Sequence, residues 1–498
     1  MQTSIDLLNN LKSFLPETVL LLTIIITLVA DLILKRKSPF VGILGIIGLV
    51  ITGIIVAEQF GIRESLFFNM VVIDPYSVFF KELFVLSTIF VILFAMGSEE
   101  IRSSMYKNEY VYLFLSLTFG AFLMSSSVNM LMMYLSLELA SLTSYILAGY
   151  TKKVKRSTEA AMKYIIYGAA SSGIMIYGMS LLYGYTGTMN IYGVAQFLST
   201  AASSNTLVTL SIILIVAGFG YKISSVPFHF WTPDVYEGSP IPVTAFLAVT
   251  SSAAGFAILI RFFATTFAIN VSKEVWELIP NISWTEVIIV LSVASMIIGN
   301  FVAIWQSSLK RLLAYSSIAQ SGYIMLGLVV ANKSGLTAMM IYLIAYLFMN
   351  LGAFYVTLLI FNKLGTDDID EMKGLGYRAP VIGVAMAIFM FALSGIPATA
   401  GFIGKFYLFA ALLETGKNSM IVLAIIGLIN SVISLYFYIK VLKNMYLKSP
   451  EGDTSKLLFS VANYVVLLLL AVPTIVFGIY FYPLIKFAEN SAILFWMR

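Results

Sequence analysis

The sequence predicts an all-α polytopic membrane protein with about 14 transmembrane helices. Three observations carry this expectation. Apolar residues make up 60% of the 498-residue chain and charged residues only 11%, against roughly 25% charged in soluble domains. Long apolar runs recur along the whole chain at the roughly 20-residue length that spans a bilayer. Basic residues gather in every second connection between those runs. The runs lack the two-residue alternation of barrel strands, so a β-barrel is not expected. Mean hydropathy is +0.94. This composition excludes a soluble enzyme, a disordered protein and a nucleic-acid binder.

The first run, 14–34, has no basic stretch before it and is as long as a spanning helix, so a spanning helix is expected there and not a cleavable signal. Further spans are expected at 40–58, 76–97, 109–126, 128–149, 159–184, 206–230, 241–266, 285–305, 311–330, 336–361, 379–413, 419–442 and 461–485. With the N-terminus outside, 18 basic residues fall in inside connections and 7 in outside segments, out of 30. Both termini are therefore expected on the periplasmic side or its equivalent. The connections, the longest near 185–205 and 443–460, leave no room for a soluble domain.

The side-chain inventory limits the chemistry. The chain has no cysteine and one histidine, His229. That excludes disulfides, thiolate or multi-histidine metal sites, Cys-ligated iron–sulfur clusters and a bis-histidine haem.

A charge at the bilayer centre costs about 2.5–3.5 kcal/mol on insertion scales. Glu138 is the only charge between Glu109 and Lys152, about 15 Å deep in its span. It reads either as a buried acid satisfied by a nearby hydroxyl or as a proton-carrying carboxyl. Lys222 is the only charge between Lys163 and Asp234. Its apolar stretch is too long for one straight span, and Gly218, Gly220 and Pro227 offer a place to break it. Lys405 repeats the pattern beside Gly395, Pro397, Gly401 and Gly404. Lys163 opens its span, with Ser157 as a candidate N-cap and Glu159 as an i,i+4 partner. It is either an interfacial ion pair or a charge partner between Glu138 and Lys222. Arg261 and Lys81 lie nearer span ends, where snorkelling is the default. His229 is a candidate relay between Lys222 and Asp234 or Glu237.

The layout suggests an inverted repeat. After N-terminal helices in 1–108, residues 109–266 and 285–443 each hold five spans, with the fourth broken and carrying a lysine; 444–498 adds a last helix. Five spans per block reverse the polarity of the second block.

Several segments carry a family resemblance: SLELASLTSYILAGY around Glu138, STEAAMKYIIYG around Lys163, KISSVPFHFWTPDVYEGSPIPVTAFL from Lys222, LKRLLAYSSIAQSGY and GIPATAGFIGKF. Over roughly 75–445 the chain resembles the antiporter-like subunits of respiratory complex I, and is similar also to Mrp-type cation/proton antiporters. The resemblance favours the branch with Lys, here Lys405, in the twelfth span and no long lateral C-terminal helix. It implies 14 helices, two inverted five-helix repeats, and a charge row in which Glu138 pairs with Lys222 and Lys405 ends the row. Lys163 takes the family position after the Glu-Ala pair. Two positions depart from the family. Ser252, in LAVTSSAAGF, stands where a lysine is common, with Arg261 a possible substitute and water held by Ser251 and Ser252 another. Gln320 stands where histidine is frequent.

What the resemblance implies is a proton-translocating membrane-arm subunit of a complex I-type quinone oxidoreductase, in a bacterial inner membrane more than a plastid one. The alternatives are an Mrp-type Na⁺/H⁺ antiporter subunit or a non-pumping structural subunit. No cofactor or metal is expected in this chain. NAD(H) or ferredoxin, FMN, iron–sulfur clusters and quinone would belong to other subunits. The implied partners are other membrane-arm subunits, including antiporter-like ones, and the lipid bilayer, with no nucleic acid.

Overall fold

The computed structural model describes residues 10–34, 39–103, 108–200, 205–268, 276–280, 282–449 and 455–495. Lys35, Arg36, Lys37, Lys107, Lys273 and Arg498 of the basic-loop count lie outside them.

Among the described residues, twelve helices are long and apolar enough to cross a membrane, and two shorter apolar helices are Thr206–Lys222 and Pro380–Ser394. The shorter pair begins the seventh and twelfth expected spans, so the 14 expected spans are all present and two are broken. In order they are α1 Leu15–Ile33, α2 Phe40–Glu58, α3 Pro75–Gly97, the short α4 Glu99–Arg102, α5 Glu109–Ser126, α6 Met130–Ala148 and α7 Lys155–Thr186. Then come the connecting α8 Ile191–Thr200, α9 Asn205–Lys222, α10 Trp231–Gly238, α11 Ile241–Thr266, α12 Trp284–Ala303, α13 Leu309–Val330 and α14 Lys333–Leu364. The chain ends with the short α15 Leu375–Arg378, α16 Pro380–Ser394, α17 Ala400–Glu414, α18 Asn418–Leu447, α19 Val461–Ile479 and α20 Tyr482–Ser491. A hairpin of β1 (Glu64–Leu66) and β2 (Val71–Ile73) precedes α3.

Polar residues at the helix starts explain where several helices begin. Asp74 and Ser77 form a capping box on α3, with Pro75 at its first position. Asn129, Ser308, Asn332 and Thr399 accept from backbone N–H groups at the starts of α6, α13, α14 and α17. Ser157 does not cap α7. That helix starts at Lys155, and the Ser157 hydroxyl donates instead to Ala148 O at 2.9 Å.

Several of the described connections meet one another in two separate groups. In one, Ile241 N donates to Glu100, Asn362 to Gly97 O, and Lys448 pairs with Asp370. In the other, Asn190 donates to Asn69 O and Val128 N to Met70 O.

Two charges expected to snorkel are fully buried instead. Arg261 holds Asp74 through two hydrogen bonds of 2.8 Å, donates to Ser125 O, and lies 4.7 Å from the Tyr76 ring centroid. Lys81 pairs with Glu17 at 2.5 Å, both side chains 1% exposed. Partners from distant segments are the physical reason: each completes an ion pair inside the bundle, so neither cation has to reach water.

Candidate functional site

The site is built on the two helix breaks. A break frees backbone groups that must find partners inside the apolar region. In the seventh span α9 ends at Lys222, past Gly218 and Gly220 and before Pro227. Val226 N donates to Ser295 Oγ at 2.9 Å, and the Ser321 hydroxyl donates to Ile223 O at 2.7 Å. Two intact helices, α12 and α13, thus complete the break.

In the twelfth span α16 ends at Ser394, and Gly395 takes the left-handed conformation with φ +87°. Lys405 reaches back from α17 to the freed carbonyls. Its Nζ donates to Leu393 O at 3.2 Å, Ser394 O at 3.0 Å and Ser431 Oγ at 2.9 Å, and lies 4.5 Å from the Tyr323 ring centroid. A cation at helix C-terminal carbonyls is favoured by the helix dipole. The two lysines therefore stand on opposite sides of their breaks: Lys222 closes the first half-helix, and Lys405 lies in the second.

Lys222 is buried, and its Nζ donates to Ser141 Oγ at 3.3 Å. Ser141 follows Glu138 by three residues on α6, so both face the same side. Glu138 Oε1 is buried without a hydrogen-bond partner. No ion pair within 4.0 Å joins Glu138 to Lys222 among the described residues. The expected pairing of these two charges is therefore not a direct contact, and the Ser141 hydroxyl stands at the ammonium.

Adjacent residues of α13 join the two breaks. Ser321 holds Ile223 O, next to Lys222, while Gln320 Nε2 donates to Leu393 O at 3.0 Å, the carbonyl that Lys405 also holds. Tyr438 and Tyr342 hydroxyls bond the Gln320 amide from either side. Ser317, one turn back, accepts from Tyr346 at 3.0 Å. The polar row is thus two hydrogen-bonded groups, Lys222 with Ser141 near Glu138 at the first break and Lys405 with Ser431 and Gln320 at the second, and α13 carries Ser321 and Gln320 side by side to the backbone of each break.

Span eight contributes differently. Leu247–Ser251 form a π-turn within α11, a feature that often marks functional sites. Ser252 Oγ donates across that turn to Leu247 O at 3.1 Å. Gly255 lets α11 approach Lys222: a Cβ there would stand 3.1 Å from Lys222 Cγ and 2.8 Å from Ile223 Cγ2. Arg261 is committed elsewhere: its Nε donates to Ser125 O and its two terminal nitrogens donate to the Asp74 carboxylate.

Lys163 lies apart from the row in an ion cluster. Its Nζ is 2.6 Å from Asp234 and 2.7 Å from Glu159, and Arg311 bonds Asp234 at 2.7 Å and Glu237 at 2.8 Å. The interfacial reading of Lys163 describes this geometry, and the placement between Glu138 and Lys222 does not. His229 is buried, with Nδ1 unpartnered. It lines a cavity of about 410 Å³ together with Asp234, Arg311 and Tyr315.

Sequence reasoning did not single out Ser141, Ser321 or Ser431. The spacing of Ser141 from Glu138 was a usable signal, whereas Ser321 and Ser431 matter only through the carbonyls that the breaks expose. Among the described residues, no group of three or more His, Cys, Asp or Glu side chains could hold a metal ion.

Comparison with known proteins agrees with this architecture. Residues 127–434 match the family described as NADH:quinone oxidoreductase/Mrp antiporter, TM. NADH-quinone oxidoreductase subunit N 2 of Chloroherpeton thalassium is 45% identical over 495 residues, covering 98% of this chain and 96% of the relative. NADH-quinone oxidoreductase subunit N of Chlorobium chlorochromatii is 44% identical over 493 residues, covering 97% and 95%. A chain of respiratory complex I from Thermus thermophilus with bound aureothin superposes with a TM-score of 0.78 at 27% identity, covering 95% of this chain and 99% of that one. On the strength of that match over more than half its length, and of near-complete alignment with these relatives, the chain belongs to the NADH:quinone oxidoreductase/Mrp antiporter transmembrane family.

Proposed function

We propose that this chain is a proton-translocating membrane-arm subunit of a complex I-type NADH:quinone oxidoreductase, seated beside other antiporter-like subunits in a bacterial inner membrane. The observation that carries the reading is the set of polar groups held inside the spans, from the half-buried Glu138 to the buried Lys222 and Lys405, with Gln320 and Ser321 of α13 bonded to the backbone of the two helix breaks. Ionisable groups held within spans are the hallmark of ion pathways. NAD(H) or ferredoxin, FMN, iron–sulfur clusters and quinone belong to other subunits in this reading, and this chain supplies only the proton path.

The mechanism follows from charge and burial. An ionised Glu138 stabilises an ammonium at Lys222, which otherwise has only a neutral hydroxyl beside it. Removing or neutralising the Glu138 charge leaves a costly isolated cation, so the Lys222 proton moves on. The hydroxyls and the amide of α13 lead towards Lys405, which releases the proton to the far side. In this reading the uptake end is the ion cluster of Lys163, Asp234 and Arg311, whose Asp234 and Arg311 also line the cavity at His229. Residues 109–266 and 285–443 are taken as the two inverted repeats, with both termini on the periplasmic side.

The test is proton uptake by vesicles reconstituted with the complex, driven by NADH or reduced ferredoxin. Uptake that survives unchanged when Glu138 and Lys405 are both neutralised, at equal assembly, rejects the reading. Co-purification of flavin and iron–sulfur subunits separates it from an Mrp-type assembly.

A further inference from the structure

A crevice outside the polar row lies between α2, α3 and α14, with α20 over one end. Its volume is about 630 Å³, within the range of small-ligand sites. Glu82 is the only polar side chain that lines it. Phe487 of α20 closes one end, packed between Phe60 and Phe79 at centroid distances of 6.2 and 5.6 Å. Val50, Ile54 and Leu86 line it from the exposed apolar flank of the bundle. A ligand therefore reaches the crevice sideways, from hydrocarbon.

The carboxyl of Glu82 has no counter-charge. Its Oε1 is buried without a hydrogen-bond partner, and no cation lies within ion-pair distance of it among the described residues. Lys81 is adjacent in sequence but is already paired with Glu17 at 2.5 Å. Glu17, Lys81 and Glu82 thus bring two carboxyls and one ammonium into the apolar region, so Glu82 is left to be balanced by a proton or by a cation from outside the chain. An unpaired carboxylate in hydrocarbon is costly. The glycine at Gly53 leaves room over Glu82, since a Cβ there would stand 3.6 Å from its Oε2.

We propose that this crevice binds a membrane amphiphile with a primary ammonium head, which pairs with Glu82 while the apolar tail fills the walls. The charge argues for an ammonium, and the buried unpartnered oxygen argues for one that carries N–H donors, since charge-assisted bonds of that kind are the strong ones. A quaternary head has no N–H to give. Glu82 sits seven residues into α3, about 10 Å along the helix, so the head must be compact enough to dip below the surface. The site is separate from the proton row and does not depend on the function proposed for it.

A hydrophobic carbodiimide tests the contact directly. The Glu82 carboxyl adds across one N=C bond to give an O-acylisourea. A primary amine in contact displaces the urea and leaves an amide, and without an amine the acyl group shifts to nitrogen as an N-acylurea. The assembled complex is treated in vesicles of phosphatidylethanolamine or of phosphatidylcholine, and the Glu82 peptide is read by mass spectrometry. The expected result is a lipid amide at Glu82 in phosphatidylethanolamine and only the acylurea in phosphatidylcholine. Both adducts should be absent in Glu82→Gln, and the amide should be lost in Gly53→Leu. Acylurea alone in both lipids, or an unlabelled Glu82 in both, overturns the proposal.

Discussion

Gln320 and Lys405 donate to the same backbone oxygen, Leu393 O, at 3.0 and 3.2 Å. One residue sits on an unbroken helix and the other on a half-helix, so the shared carbonyl ties the twelfth-span break to α13. Gln320→Leu removes one donor and strands the Tyr342 hydroxyl, which bonds the Gln320 amide oxygen. A stranded buried polar group costs about 1–3 kcal/mol. The variant should assemble and slow proton uptake by about tenfold, whereas Gln320→His should keep most of it. Wild-type uptake in the leucine variant would place the path away from α13.

Glu138→Gln keeps the shape of the side chain and removes its charge. Proton uptake and coupled quinone reductase activity should fall together while assembly survives. Activity in membranes, measured beside the amount of assembled complex, checks this, and normal activity at normal assembly contradicts it.

Lys405→Met should block uptake more severely than Lys163→Met. Lys405 is buried on three acceptors, whereas the Lys163 side chain is 38% exposed within a cluster that keeps Arg311 on Asp234. Lys405→Arg should fail as well, because guanidinium holds its proton at any accessible pH. Vesicle uptake for the three variants at equal assembly is the measurement. An arginine variant that pumps normally would make Lys405 a fixed charge.

Replacing Ser251 and Ser252 with Val should slow uptake. The pair sits where the π-turn of α11 meets the helix that Lys222 packs against through Gly255. Valine there removes both hydroxyls and adds bulk. Normal uptake in the double variant would take span eight out of the path.

Asp74→Ala should destabilise the fold without touching the row. It strands the fully buried Arg261, a loss of about 3–5 kcal/mol for a broken buried pair. Burial alone would raise the Asp74 carboxyl, but Arg261 and the backbone N–H groups of Phe495 and Ser77 hold it below its ordinary value. A depressed native value means the contribution is complete at neutral pH and is lost only as pH falls through that value. Thermal unfolding of the variant beside wild type measures the loss, and an unchanged midpoint would mean that Arg261 finds another partner.

The spans were legible because apolar length and loop charge are properties of the chain alone. The two breaks were legible from over-long runs punctuated by Gly and Pro, although Gly401 and Gly404 proved to be close-packing positions inside α17: Cβ atoms there would run into Ala392 O and Tyr342. Glu138, Lys222 and Lys405 stood out as isolated charges. Their partners did not, because a serine that holds a broken helix looks like any other serine until the break is in place. Arg261 and Lys81 were misread for a related reason. Their acids, Asp74 and Glu17, come from segments far away in sequence, and only the folded bundle brings them together.

The surroundings of Lys405 keep a count. An ammonium has three N–H bonds, and three oxygens receive them: Leu393 O, Ser394 O and Ser431 Oγ. The neutral amine has two N–H bonds and a lone pair, so the set no longer matches. Ser431 is the one member able to change sides. Its hydroxyl donates to Ser394 O at 3.0 Å while the ammonium is present, and by turning it can donate to the amine instead. The two carbonyls then keep one N–H each, and every partner is again satisfied. A single rotating hydroxyl thus registers whether the lysine carries its proton, and Ser431→Ala would leave the neutral form with an unanswered lone pair.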